Sequence, residues 1–358
     1  MFAPDRLWSW DSHAYVPVDR DSDAERWAAE VYADPDAAAV TQVTDGRPSS
    51  SLSCQAVVVD MLDSLLPEPG QRVLELGTGT GWNAALLARR AGPAQVTSVE
   101  VDPELAVQAS ARLDAVSAGV AVKVSDGASG WPEGAPYDRL ISTYAVEYIP
   151  WAWVAQTRPG GRIVTPWGRL GHVALTVAED GGSATGWVQG LAQFMPARGT
   201  EPGQNFGQVR GTGPAGDERP FVRATEPLRD DWHLRFALRV ALPDVQVTTA
   251  VDADGLNVWL HDGAASWATI SALGDGRSTA YQGGPRRLAD ELEQAWDIWL
   301  AAGKPEVYDF GMTIEPDRQY LWTRDPANGS RWPVGVKGPG AGAGSMRSEC
   351  AIPSFSAH

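Results

Sequence analysis

The chain has 358 residues, 43% of them hydrophobic, and a formal net charge of −16; that length suits about two domains and that apolar content suits a folded core. The acidity disfavours nucleic acid and anionic membranes as partners, since both select a basic surface, and solubility accounts for it. No apolar run approaches the ~18 residues of a membrane span, and the start, Met1 to Trp8, lacks the basic and apolar regions of a secretory signal.

In residues 1–50 the pattern predicts one helix, Asp23 to Tyr32, and a polar loop from Thr41 to Ser50. A helix then starts near Ser53 as N-cap and runs through Met61 to Leu66, with Val57, Val58, Met61, Leu62 and Leu65 on one face. Pro67-Glu68-Pro69-Gly70 stops it. Strands at Arg72–Leu76, Gln95–Glu100, Val120–Ser125, Tyr137–Thr143 and Gly161–Pro166 then alternate with helices at Trp82–Arg90, Pro103–Ala118 and near Trp151–Gln156. That alternation is the pattern of a doubly wound parallel sheet. Two more strands follow, near Val173–Ala178 and Thr185–Leu191.

Residues 197–220, rich in Gly, Pro and charge, read as a long loop or linker. Across 232–282 short apolar runs alternate with Asp254-Gly255, Asp262-Gly263 and Asp275-Gly276, which predicts antiparallel strands. A helix from Pro285 to Ala302 presents Leu288, Leu292, Ala295, Trp296 and Trp299 on one face. Strands near Gly311–Ile314 and Gln319–Trp322 close a small α+β domain, and Gly338 to Ser345 has flexible-tail composition. The expected domains are residues 1–198, a linker at 199–222, a second domain at 223–333 and a tail at 334–358.

The stretch Val73-Leu74-Glu75-Leu76-Gly77-Thr78-Gly79-Thr80-Gly81 carries the chemistry. A strand runs into alternating glycines, where the backbone turns tightly and a ligand approaches without meeting a Cβ. The following helix offers unpaired N–H groups and a positive dipole end. Glu100 ends the next strand, placed to hold the two hydroxyls of a ribose. A dinucleotide site wants glycine at position 82, which here is Trp, so a nicotinamide enzyme is disfavoured. S-adenosyl-L-methionine, which carries no phosphate, suits the turn better. A glycine-rich turn without a ligand is the plainer alternative.

Cys54 and Cys350 give no disulfide framework and suit a reducing cytoplasm. The five histidines and two cysteines show no metal-ligand spacing, so no metal is expected. Sixteen tryptophans are many for this length. Core packing explains most, while a minority, among Trp8, Trp10, Trp131, Trp151, Trp153 and Trp167, suits a peptide groove.

Residues 1–198 resemble the protein-L-isoaspartate O-methyltransferase family. The resemblance rests on Val73 to Asn83, Val99-Glu100, Ser125-Asp126-Gly127, Ile149-Pro150 and Arg158-Pro159-Gly160-Gly161-Arg162-Ile163-Val164-Thr165-Pro166. It implies an α/β, Rossmann-like S-adenosyl-L-methionine methyltransferase sheet, here followed by the small α+β domain. By resemblance, Glu75, Gly77, Thr78, Gly79 and Gly81 hold the methionine part of the cofactor, Glu100 the ribose, and Asp126 with Gly127 the adenine. Asp126-Gly127 also reads as a plain turn. The family's active serine lies eight residues before a Met; Ser53 takes that place before Met61, with Ser51 as the fallback. Gln55 stands where the family has Pro, and a bare helix cap is the other reading of Ser53.

The extra C-terminal region resembles an actinobacterial branch associated with ribosomally made, modified peptides: lanthipeptides, graspetides and lasso peptides. That resemblance implies methylation of an aspartate in a macrocyclic precursor peptide, with collapse of the ester to an aspartimide. The same-chemistry alternative is repair of isoaspartate in damaged proteins. By the same resemblance, the helices that precede the family's Phe-x-Pro element, here Phe2-Ala3-Pro4, are expected to be missing. A monomer is expected. A different class, a degenerate fold that only binds a partner, sits poorly with an intact glycine loop.

Overall fold

The computed structural model describes residues 2–32, 34–168, 170–199 and 203–335. Two hairpins open it, β1 (Arg6–Asp11) with β2 (Ala14–Asp19) and β3 (Ala39–Thr44) with β4 (Arg47–Leu52), around α1 (Ala24–Tyr32). They form one sheet in the order β2-β1-β3-β4. Helix α2 (Gln55–Leu65) follows, then β5 (Val73–Leu76), α3 (Trp82–Ala91), β6 (Val96–Glu100), α4 (Pro103–Ala115), β7 (Ala121–Val124), β8 (Tyr137–Ser142), α5 (Trp151–Ala155) and β9 (Thr157–Trp167). Strands β10 (Gly171–Val177) and β11 (Ala184–Leu191) complete the first half.

The second half contains α6 (Phe206–Arg210), β12 (Asp217–Phe221), α7 (Pro227–Asp230) and α8 (Trp232–Ala241). Strands β13 (Gln246–Val251), β14 (Leu256–His261), β15 (Trp267–Ala272) and β16 (Ser278–Gly283) precede α9 (Leu288–Ala301). The described chain ends with β17 (Phe310–Ile314), β18 (Gln319–Thr323) and β19 (Arg331–Pro333). The expected tail lies outside the described residues beyond Gly335.

The central sheet has ten strands in the order β19-β18-β17-β11-β10-β9-β8-β5-β6-β7. From β9 to β7 every pair is parallel, and from β9 to β19 every pair is antiparallel. Burial on both faces makes β5 apolar throughout apart from Glu75. Helix α4 starts as its sequence prescribes. Asp102 accepts from the backbone N–H of Glu104 and Leu105, Pro103 takes the first turn, and Glu104 meets the positive dipole end. The five residues expected on the inner face of α9 are all buried. They pack in one core with Phe236 of α8 and Val258 of β14. No helix among the described residues is long and apolar enough to cross a membrane.

Four expectations are corrected. Residues 41–50 are not a loop but the β3–β4 hairpin, turned by Asp45 and Gly46 at φ 51° and 73°. Its polar residues hydrogen-bond to one another, Thr41 to Ser50 at 3.1 Å and Ser49 to Gln42 at 2.8 Å, which hides the hairpin from an apolar-alternation reading. Trp232–Ala241 is a helix, capped by Asp231, which accepts from Leu234 N–H at 3.0 Å. The linker at 199–222 holds α6, closed by an Asn205–Gln208 capping box, and β12, which pairs with β16. Ser53 does not cap α2: Cys54 takes the cap position, with no side-chain bond, because the helix begins at Gln55.

The boundary of the second domain also moves. The five-stranded sheet β12-β16-β15-β14-β13 with α8 and α9 forms the small α+β unit. Strands β17 and β18 leave it and join the central sheet through β11, with Gly186 opposite Met312 and Trp187 opposite Gly311. A Cβ on Gly186 would enter the carbonyl of Ala174, and one on Gly311 would enter the indole of Trp322. Trp322 is 1% exposed, stacks edge-on to Trp187 at 4.5 Å and donates to Thr313 Oγ1 at 3.0 Å. Trp322→Ala is expected to cost about 3–5 kcal/mol in urea unfolding of the whole chain. A loss below about 1 kcal/mol would mean that these strands do not share the core's stability.

Candidate functional site

The site forms where the parallel strands part. Strand β5 has β6 on one side and β8 on the other, so the crevice at their C-terminal ends is the topological switch point. Gly77, Gly79 and Gly81 follow β5 with φ of 94°, 52° and 88°. Gly77 N–H donates to Val99 O at 2.8 Å, and Thr143, just past β8, donates its N–H to Leu76 O at 2.9 Å. A Cβ on Gly77 would lie 2.5 Å from Thr143 Oγ1, so that position requires glycine.

A ladder of hydrogen bonds fixes the glycine loop. Gly79 N–H donates to Glu100 Oε2 at 2.9 Å, and Asp102 N–H donates to Glu100 Oε1 at 3.1 Å. A carboxylate offers about four lone-pair positions, so Glu100 keeps acceptor capacity for two hydroxyls. Beneath the loop, Glu75 accepts from Asn83 Nδ2 at 2.8 Å and from Ser98 Oγ. Ser98 has one proton and gives it to Glu75, so the 2.6 Å contact with Thr78 has the Thr78 hydroxyl as donor. Burial pushes the Glu75 carboxyl up to about 7; the hydrogen bonds from Ser98 and Asn83 oppose this, and the charge of Glu100 adds to it.

One cavity of 1740 Å³ brings the expected residues together. Ser53, Gly77, Thr78, Gly79, Glu100, Asp126 and Gly127 all line it. Ser53 lies between β4 and α2, and its hydroxyl makes no hydrogen bond among the described residues. Asp126 spends Oδ1 on Ala128 N–H at 2.9 Å, leaving Oδ2 without a partner among the described residues. Gly127 is fixed by its neighbours: Trp153 Nε1 donates to its carbonyl at 2.8 Å, and a Cβ would strike the Tyr144 hydroxyl. The fallback Ser51 lines the same cavity. Glu75 and Gly81 do not line it. Glu75 has no exposed surface and braces the loop from below, while Gly81 caps α3 against Leu113 of α4.

Several lining residues carry no local motif in the sequence. Tyr144, Arg198, Arg235, Arg239 and Val247 reach the cavity through tertiary folding. Trp153 and Trp167 belong to the tryptophan set from which a minority was expected to suit a peptide groove, and both line the cavity. Arg198 ties the roof down, donating to Asp102 Oδ2 at 2.8 Å, to Gln42 Oε1 at 2.6 Å and to Ser49 O at 3.1 Å. Partial burial works against the Asp102 charge. Hydrogen bonds from Gln42, Arg198, Leu105 and Glu104 outweigh it and hold the carboxyl at about 2. Among the described residues no group of His, Cys, Asp and Glu forms a metal cluster.

Glu75 makes the stability of the whole chain depend on pH. Its folded pKa of about 7 exceeds the ordinary glutamate value of 4.5, so the folded state holds an extra proton between those values. The stability this gives is present below 4.5 and is lost as pH rises through about 7. Glu75→Gln removes the titration. Relative to that variant, the wild type should lose roughly 3 kcal/mol between these two pH limits. Parallel stability curves for the two proteins across that range would contradict the assignment.

Residues 12–200 match the family model described as protein-L-isoaspartate(D-aspartate) O-methyltransferase (PCMT). A protein-L-isoaspartate O-methyltransferase of Anaeromyxobacter dehalogenans (strain 2CP-C) is 44% identical over 151 residues, 41% of this chain and 70% of its own length. One from Methylorubrum extorquens (strain PA1) is 40% identical over 145 residues, 39% of this chain and 63% of its own. A solved protein-L-isoaspartate O-methyltransferase overlaps 76% of this chain and 81% of its own, at 22% identity and a TM-score of 0.44. The chain belongs to the protein-L-isoaspartate(D-aspartate) O-methyltransferase family.

Proposed function

We propose that this chain uses S-adenosyl-L-methionine to methylate the carboxylate of an isoaspartyl residue in a peptide or protein. The observation that carries the reading is one cavity joining the glycine loop and Glu100 to Ser53. Its 1740 Å³ exceeds the roughly 300–1,000 Å³ of a single small-molecule site, which leaves room for a cofactor and a peptide together. The family match supports the reaction class.

The residues fit that cofactor. Glu100 retains acceptors for a ribose, Asp126 Oδ2 for an adenine amino group, and the loop from Gly77 to Thr80 lines the wall for the methionine part. When bound, S-adenosyl-L-methionine supplies an electrophilic methyl group. The free carboxylate of an isoaspartyl residue is its α-carboxylate, with a reference pKa of about 3.3–3.7, so it is already ionised near neutrality and no general base is required. The chain's task is to orient that carboxylate and exclude water. Ser53, whose hydroxyl has no hydrogen-bond partner among the described residues, is suited to donate to one carboxylate oxygen and aim the other.

A second reading has its own support. The cavity's far wall includes Leu228, Arg235, Leu238, Val245 and Val247, all beyond the residues that match the family. A wall of that kind suits a substrate held in one shape, such as an aspartate in a macrocyclic ribosomal peptide whose ester closes to an aspartimide. On either reading, residues 203–309 serve as a substrate grip.

Mass spectrometry of incubations with S-adenosyl-L-methionine separates the readings. A gain of one CH2 on an isoaspartyl peptide is the expected result. A gain of CH2 or loss of water confined to an aspartyl macrocycle would install the second reading. Binding of the cofactor with no change in either peptide would leave only a binding module. Ser53→Ala should lower kcat about a hundredfold, the size of one lost oxyanion donor, with cofactor affinity intact. An equal loss from Ser51→Ala alone would move the role to Ser51.

A further inference from the structure

The carboxylates lining the cavity all have partners. Glu147 pairs with Arg239, and Asp244 with Arg286 at 2.5 Å. Asp262 accepts N–H groups from Ala264, Ala265 and Ser266. Glu100 and Asp126 hold the backbone donors described above. The cations are less evenly served. Arg198 is bound to Asp102 and Arg239 to Glu147. Arg47 is exposed, where water solvates a guanidinium well.

Arg235 of α8 is the exception. It lines the cavity, is partly buried and makes no ion pair among the described residues. Its guanidinium lies 4.4 Å from the Trp232 ring centre, and Nη1 reaches Arg229 O only at 3.4 Å. Burial without a neighbouring acid pulls its pKa below the usual arginine value. A cation lodged in a cavity wall with most of its five N–H donors unspent lacks an anion.

We infer that Arg235 is an anion subsite of the peptide cleft, holding the carboxylate of a second acidic residue of the peptide. The substrate class is therefore an acidic peptide. This rests on the reading of the cavity as a methyl-transfer site. The planar guanidinium presents a fork that matches a carboxylate in a bidentate pair, and Trp232 supports it from one face. The overall charge of −16 repels acidic peptides from afar. At physiological salt that repulsion is screened within about 8 Å, so the local pair prevails at contact and acts mainly on residence time.

The test uses the full chain and a fluorescent isoaspartyl peptide in which one Glu is walked through the flanking positions. Dissociation constants come from anisotropy with S-adenosylhomocysteine present, and methylation is followed separately. At one Glu position the wild type should bind about tenfold tighter than it binds the neutral peptide, and Arg235→Gln should erase that gain. Arg235→Lys should keep part of it, and added salt should reduce it. The inference is overturned if Glu gives no position-dependent gain. It is equally overturned if Arg235→Gln weakens all peptides alike while its melting temperature and cofactor affinity are unchanged. Charge-dependent binding without methylation would sustain the subsite and remove the methyl-transfer reading instead.

Discussion

The reversal of strand order at β5, which has β8 on one side and β6 on the other, is the constraint on which the rest of the site depends. Parallel strands need crossover helices, so where the strand order turns, no connection covers their carboxyl ends. Gly77 and Thr143 sit at that point, where the Thr143 hydroxyl and the Tyr144 ring leave no room for a Cβ on Gly77. Strand β6 delivers Glu100 to the rim of this crevice and the segment after β7 delivers Asp126 and Gly127. The hairpin β3–β4 and Ser53 close over it from the amino-terminal side. The small α+β unit supplies the facing wall, because β17 is tied to β11 and brings that unit back against the core.

The parts legible in the sequence were those governed by local rules. The glycine turn, the Asp102-Pro103-Glu104 start of α4 and the apolar face of α9 each depend on neighbours a few residues away. The parts that were not legible depend on distant partners. The hairpin from Ala39 to Leu52 buries little apolar surface of its own and is stabilised by polar bonds and by Arg198, far along the chain. Helix α8 lies in the apolar-rich stretch 232–242, where short runs suit either period. The pairing of β17 with β11 has no local signal beyond Gly186 and Gly311. Site residues followed the same division: Ser53, Glu100 and Asp126 sit beside motifs, whereas Arg198 and Arg235 do not.

Glu75 illustrates the difference between a motif residue and a contact residue. It belongs to the glycine motif, yet it is fully buried, does not line the cavity, and accepts hydrogen bonds from Ser98 and Asn83. Through Ser98 it fixes Thr78, and Thr78 is a wall residue. It braces the loop from below. The two acids thus sit differently: Glu75 is sealed under the loop, whereas Glu100 lines the cavity and accepts from the backbone N–H groups of Gly79 and Asp102.

The pairing of β17 with β11 also governs how the chain is made. During synthesis β11 emerges long before β17, with on the order of a hundred residues between them. At roughly 5–20 residues per second, its edge stays open for about 5 to 25 seconds. An open, apolar sheet edge is a template for association with other chains. Strand β17 can pair with β11 only once the intervening residues have been made, so the central sheet is completed late in synthesis. The closing of that edge thus waits on residues 203–309, a segment that contributes no strand to the central sheet.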